Sequence, residues 1–139
     1  MLNHAGFEPH RRASLWAEAA ATATKLDNIS VHDSNTKTPH EVFYGHPTKY
    51  QDHLRVFGEV GVITKSNTSS IKSKLQDRGL VGIFLGYARD HAGDAYWMLN
   101  PTTNKVWITR DVKWLHKQYH EHHNLKTRVI LLDLDDDRL

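Results

Sequence analysis

Residues 79–115 read GLVGIFLGYARDHAGDAYWMLNPTTNKVWITRDVKWL. Short runs of β-branched and aromatic residues alternate there with turn-forming clusters, Asp90-His91-Ala92-Gly93-Asp94 and Asn100-Pro101-Thr102-Thr103-Asn104. That texture is the sequence signal of antiparallel hairpins. It predicts strands over 80–87, 95–99, 105–109 and 112–115, preceded by two more at 54–57 and 60–64. A sheet of such short strands hides its edges most simply by closing, so a small antiparallel β-barrel is expected. Val56, Phe57, Val62, Ile83, Leu85, Val106, Ile108 and Val112 are its expected core. Within this unit residues 65–78 interleave Ser66, Ser69, Ser70 and Ser73 with Lys65, Lys72, Lys74 and Arg78, which reads as a polar surface loop.

Upstream the periodicity changes. Alanines at 17, 19, 20, 21 and 23 carry high helix propensity, and Leu15, Trp16, Ala19, Ala23 and Leu26 recur at helical spacing. A helix over 15–29 is expected, with Ser14 as its cap. Thr38-Pro39-His40-Glu41 is a second helix start, combining a threonine cap, proline at the first helical position and a glutamate placed to close a capping box. Gly45 ends it. A helix this short does not survive on its own, so Val42, Phe43 and Tyr44 are expected to dock on something larger.

The chain has 139 residues, 39 % of them hydrophobic and 24 % charged, enough for one modest core. No apolar run is long enough to span a membrane, and the first residues contain no apolar stretch suited to a secretory signal. The expected compartment is the nucleus or cytoplasm. With no cysteine, disulfides, thiolate metal sites and cysteine nucleophiles are excluded. The net charge of +2 is unevenly spread: residues 49–117 hold 11 Lys and Arg against 6 Asp and Glu. The last residues carry an acidic run at Asp133 and Asp135 to Asp137, read as a solvated tail.

No nucleophile–base spacing and no glycine-rich phosphate loop occurs. His116 and His120 are spaced as an i, i+4 pair beside His122 and His123, but a polar histidine-rich linker explains them without a metal, and no metal ligands are assigned. The basic segment is the candidate site. Lys72, Lys74, Arg78, Arg55, Lys105 and Arg110 are the residues expected to contact phosphates, with Lys65 and Lys113 nearby and Tyr87, Trp97 and Trp107 as stacking surfaces.

In order along the chain stand Leu15-Trp16-Ala17-Glu18-Ala19, Thr38-Pro39-His40-Glu41, Leu54-Arg55-Val56-Phe57-Gly58, Gly82-Ile83-Phe84-Leu85-Gly86-Tyr87, Asn100-Pro101 and Thr109-Arg110-Asp111-Val112. This series resembles the integrase region of copia-type retrotransposon Gag-Pol polyproteins. The resemblance implies an α+β chain: residues 1–30 as the helical end of an RNase H-like integrase core, 31–48 as a linker with a short helix at 38–45, 49–117 as an SH3-like β-barrel, and 118–139 as a linker or tail. His10-Arg11-Arg12-Ala13 reads as a short insertion relative to that pattern. In the family two metals held by carboxylates carry out DNA strand transfer. Those carboxylates would lie upstream of Met1, so the chain is expected to have no catalytic residue, cofactor or small-molecule substrate. The implied parent function is DNA integration during transposition, with nucleic acid, DNA foremost, or other integrase copies as partners. The function expected of these residues is nucleic-acid binding by the basic barrel. The alternatives are a protein–protein assembly module and a transposon relic without function.

Overall fold

Residues 79–87 form the spine of a five-stranded antiparallel sheet. The structure, a computed structural model, describes residues 1–33, 36–49, 53–64, 79–88 and 94–122. Its elements are α1 (Pro9–Asn28), α2 (Pro39–Tyr44), β1 (Glu59–Thr64), β2 (Gly79–Tyr87), β3 (Tyr96–Leu99), β4 (Val106–Thr109) and β5 (Val112–Gln118). The strand order is β4-β3-β2-β1-β5. Only Arg110 and Asp111 separate β4 from β5, yet these strands sit at opposite edges, so their near ends lie within about 11 Å by chain reach. The sheet must therefore roll.

It does not close. Among the described residues β4 and β5 share no ladder, which corrects the expected barrel to a rolled open sheet. At the corner the Val112 amide donates to the Arg110 carbonyl (3.0 Å), and the Thr64 amide to the Asp111 carbonyl (3.3 Å). These bonds steer β5 onto β1 and away from β4. Residues 54–57 are likewise not a strand. Phe57 and Gly58 turn the chain, with Gly58 at φ +87°, and the Gly58 amide donates to the Phe84 carbonyl (2.9 Å).

The two faces of the sheet hold separate cores. Phe84, Tyr87, Tyr96, Met98 and Ile63 cluster on one face, with Trp114 packed against them. The Tyr96 and Trp114 rings meet edge to face at 5.1 Å, although β2 and β1 lie between their strands. In a flat sheet that separation would be roughly 14 Å, so this face is concave. Ile83, Leu85 and Leu99 lie on the convex face with Phe57, Tyr119, Ala5, Phe7, Leu15 and Ala19.

A β-bulge links the two faces. The β2–β3 register shifts between Phe84 and Gly86, placing Gly86 opposite Trp97 and returning Tyr87 to the face of Phe84. On the convex side of the bulge, the Thr22 hydroxyl of α1 donates to the Leu85 carbonyl at 2.7 Å. Helix and sheet are thus joined by a buried hydrogen bond as well as by apolar packing.

Helix α1 starts earlier than expected. Glu8 is the N-cap and Pro9 the first helical residue, while Ser14 lies within the helix with its hydroxyl donating to the Arg11 carbonyl (3.0 Å). His10 to Ala13 therefore belong to the first turns of α1. The buried stripe is Leu15, Ala19 and Thr22, at i, i+4 and i+7, whereas Trp16 is 65 % exposed. The helix turns about 100° per residue, so Trp16 and Leu15 cannot both face the sheet squarely. The segment before α1 adds its own anchors: Phe7 stacks on Tyr119 (4.9 Å), the Tyr119 hydroxyl donates to Glu8 (2.8 Å), and Arg11 donates to the Pro101 carbonyl (2.7 Å).

Burial raises the pKa of the Tyr87, Tyr96 and Tyr119 phenols above the ordinary value of 10.0, and at Tyr119 the hydrogen bond to Glu8 adds to the effect. The folded state thus holds these protons more tightly than the unfolded chain does. Stability should be intact below about pH 10 and fall as the pH rises through the folded values. Thermal melts followed by tryptophan fluorescence from pH 8 to 11 check this. The melting temperature should drop on the alkaline side as phenolate absorbance rises.

Helix α2 is capped as expected. Thr38 Oγ1 accepts from the Glu41 amide (3.1 Å), Glu41 Oε2 accepts from the Thr38 amide (2.9 Å), and Gly45 closes the helix at φ +78°. Its expected docking is not found among the described residues: Val42, Phe43 and Tyr44 are 73 %, 81 % and 61 % exposed.

Candidate interaction surface along strand β4

β4 is a terminal strand, paired on one side with β3 and on the other with no described strand. Its residues alternate across the sheet. Trp107 lies opposite Met98 on the concave face, while Val106 and Ile108 lie opposite Leu99 and Trp97 on the convex face. A strand packed on both faces would bury these side chains, but neither the core under α1, which takes in Leu99, nor the concave core, which takes in Met98, includes a β4 residue. Val106, Trp107 and Ile108 remain 51 %, 43 % and 52 % exposed. The expected core membership of Val106 and Ile108 is corrected accordingly, as is that of Val56, which is 50 % exposed beside the Phe57-Gly58 turn.

The backbone of β4 has a definite polarity. The Asn100 amide donates to the Lys105 carbonyl (2.8 Å), which makes Lys105 a residue whose polar groups face β3. Antiparallel alternation then turns Trp107 and Thr109 toward β3, and Val106 and Ile108 outward. The hairpin is braced from behind, where Arg11 of α1 reaches the Pro101 carbonyl and Asn104 Oδ1.

Lys105 and Arg110 flank the strand and are both exposed. Arg110 lies 3.9 Å from Asp94, a loose pair at the surface. Arg55 is placed differently from what a phosphate contact needs. Its guanidinium lies over the Trp114 ring (4.6 Å from the centroid) and 3.5 Å from the buried Glu59 carboxylate, which also has His116 Nδ1 at 3.8 Å. Lys72, Lys74 and Arg78 lie outside the described residues, as do Lys65, His123 and the acidic run. Lys113 is exposed on β5. Of the expected stacking surfaces, Tyr87 is buried in the concave core, Trp97 is half-buried and Trp107 is open to solvent.

The i, i+4 reading of His116 and His120 is corrected. His116 is a β5 residue at φ +54°, and His120 lies in the following helical turn with Nδ1 3.4 Å from the Ala5 carbonyl. A shallow cleft of about 320 Å³ lies between α1 and β2–β3, lined by Thr22, Lys25, Asn28, Gly86, Tyr87 and Trp97. Lys25 Nζ sits 5.2 Å from the Tyr87 ring centroid there. Among the described residues no helix is long and apolar enough to cross a membrane.

Sequence reasoning identified Lys105, Trp107 and Arg110 from charge and aromaticity. It missed Val106 and Ile108, because an apolar alternating strand reads the same at a sheet edge as at its centre.

No curated protein and no solved structure matches the chain. Residues 63–127 match the family described as the retroviral polymerase SH3-like domain, a span that runs from the end of β1 through β5. The rolled five-stranded sheet is consistent with that description, and the match supports a region of a retroelement polyprotein.

Proposed function

We propose that the chain is a noncatalytic assembly module from the integrase region of a copia-type polyprotein, acting by holding copies of that region together. The observation that carries this reading is the exposure of Val106, Trp107 and Ile108 on a strand edge that no strand pairs among the described residues, a feature that soluble monomers usually blunt. Parent chemistry, DNA integration, would belong to carboxylates elsewhere in the polyprotein.

Nucleic-acid binding is the second reading, favoured by the placement of Lys105 and Arg110 at either end of a strand whose Trp107 is open for base stacking. It is weakened at Arg55, which is engaged with Glu59 and Trp114. The two readings differ in salt dependence. Sedimentation velocity of the chain, with and without labelled duplex DNA, from about 0.05 to 0.5 M salt separates them, since phosphate contacts weaken steeply over that range and apolar contacts do not. Self-association that persists at high salt is the expected result. A chain that stays monomeric throughout and binds DNA only at low salt would replace the assembly reading with the nucleic-acid one.

A further inference from the structure

Resting on the assembly reading, we propose that β4 pairs antiparallel with β4 of a second copy, across a two-fold axis passing beside Trp107. The occupant follows from what the edge presents. Its outward amides and carbonyls at Val106 and Ile108 call for another extended backbone, not for a generic apolar surface.

The choice between the two sheet edges selects the partner. β5, the other terminal strand, carries the devices that block strand addition: Lys113 and Lys117 are exposed on it, and His116 at φ +54° breaks its regularity. A β4-to-β5 contact would also bring Lys105 and Arg110 toward those lysines. β4 itself contains no charge, proline or bulge between Val106 and Thr109. β4 against β4 is therefore the favoured pairing, and it closes as an isologous dimer rather than continuing as a filament.

Register follows from the same alternation. Outward residues must pair with outward residues, which excludes the register that would set Lys105 against Arg110 of the other copy. Centring on Trp107 sets Val106 opposite Ile108, Trp107 opposite Trp107 and Lys105 opposite Thr109. Sliding toward Arg110 fails, because the chain already turns there through the Val112-to-Arg110 bond. Sliding the other way fails at Asn104, whose φ is +55°. The centred register forms about four backbone hydrogen bonds. Val106 and Ile108 of both copies then cover one another on one face, and the two Trp107 rings meet on the other.

The test is a concentration series of the full chain by sedimentation equilibrium at high salt, with Ile108→Pro, Ile108→Lys and a Val42→Lys control. Ile108→Pro removes an outward amide while leaving the β3 ladder intact. Ile108→Lys adds a charge at an already exposed position and guards against a folding artefact in the proline variant. Both should weaken dimerisation by on the order of 10-fold or more, with circular dichroism unchanged. Val42→Lys should dimerise as the parent does. A parent dimer that both Ile108 variants leave intact overturns β4 pairing while keeping the assembly reading. A parent chain that is monomeric at every concentration and salt overturns both.

Discussion

Phe84→Ala is expected to cost about 3 to 5 kcal/mol, a large fraction of the roughly 5 to 15 kcal/mol by which a domain is stable. Phe84 is fully buried at the centre of the concave core, and its ring makes edge-to-face contacts with Tyr87 (5.1 Å), Tyr96 (5.9 Å) and Trp114 (5.9 Å). These rings come from β2, β3 and β5, so the residue ties the sheet's roll together. Truncation leaves a cavity that three large rings cannot fill without leaving their rotamers. Urea titration followed by tryptophan fluorescence reads the loss directly. Trp16→Ala is the matched contrast: the residue is larger, but at 65 % exposure its removal should change stability by no more than about 0.5 kcal/mol. A large effect at Trp16 would mean that α1 faces the sheet with a different stripe.

Gly86→Ala is expected to cost on the order of 3 kcal/mol through two coupled effects. The residue sits at φ +154°, where a side chain is strained, and an added Cβ would lie 2.7 Å from Thr22 Oγ1. That oxygen is the donor to the Leu85 carbonyl, so relieving the clash breaks the buried bond between helix and bulge. The coupling is measurable in a double-mutant cycle. Thr22→Ala alone loses the hydrogen bond, but it also removes the atom the new Cβ would strike. Gly86→Ala combined with Thr22→Ala should therefore cost less than the sum of the single changes, by about 1 kcal/mol. Additive losses would show that the strain at Gly86 is independent of the helix.

How much of this could be read from the residues depends on whether the governing interactions are local. The capping box of α2 is visible from Thr38 to Glu41 and the stop at Gly45, because every partner lies within one turn. Strands β2 to β5 fall within a few residues of their expected bounds for the same reason, their turns being written in Asn100-Pro101 and neighbouring clusters. The start of α1 was misplaced because Ser14 looks like a cap, while the better signal was Pro9 in its first turn. Its buried stripe was misplaced because Trp16 outweighs Thr22 on any hydrophobicity scale, and only the bulge at Leu85 gives Thr22 a reason to be inside.

The site divides along the same line. Lys105 and Arg110 lie in turns, which surface cations occupy in any arrangement of the strands. Arg55 could not be recognised as an inward-turned residue, since Glu59 and Trp114 come from two different strands and meet it only once β5 has crossed to β1. Sheet order itself is non-local. Nothing within residues 106–109 tells that β4 ends the sheet, so the exposure of Val106 and Ile108 emerges only from the fold.

The most direct test of the account is residue-resolved amide hydrogen exchange of the chain at two concentrations, one well above and one well below its dimer dissociation constant. If copies assemble through β4, the amides of Val106 and Ile108 gain protection in the concentrated sample. Those of Trp107 and Thr109, already bonded to β3, are protected equally in both. Fast exchange at Val106 and Ile108 in both samples, with the chain demonstrably associated in one, would contradict it.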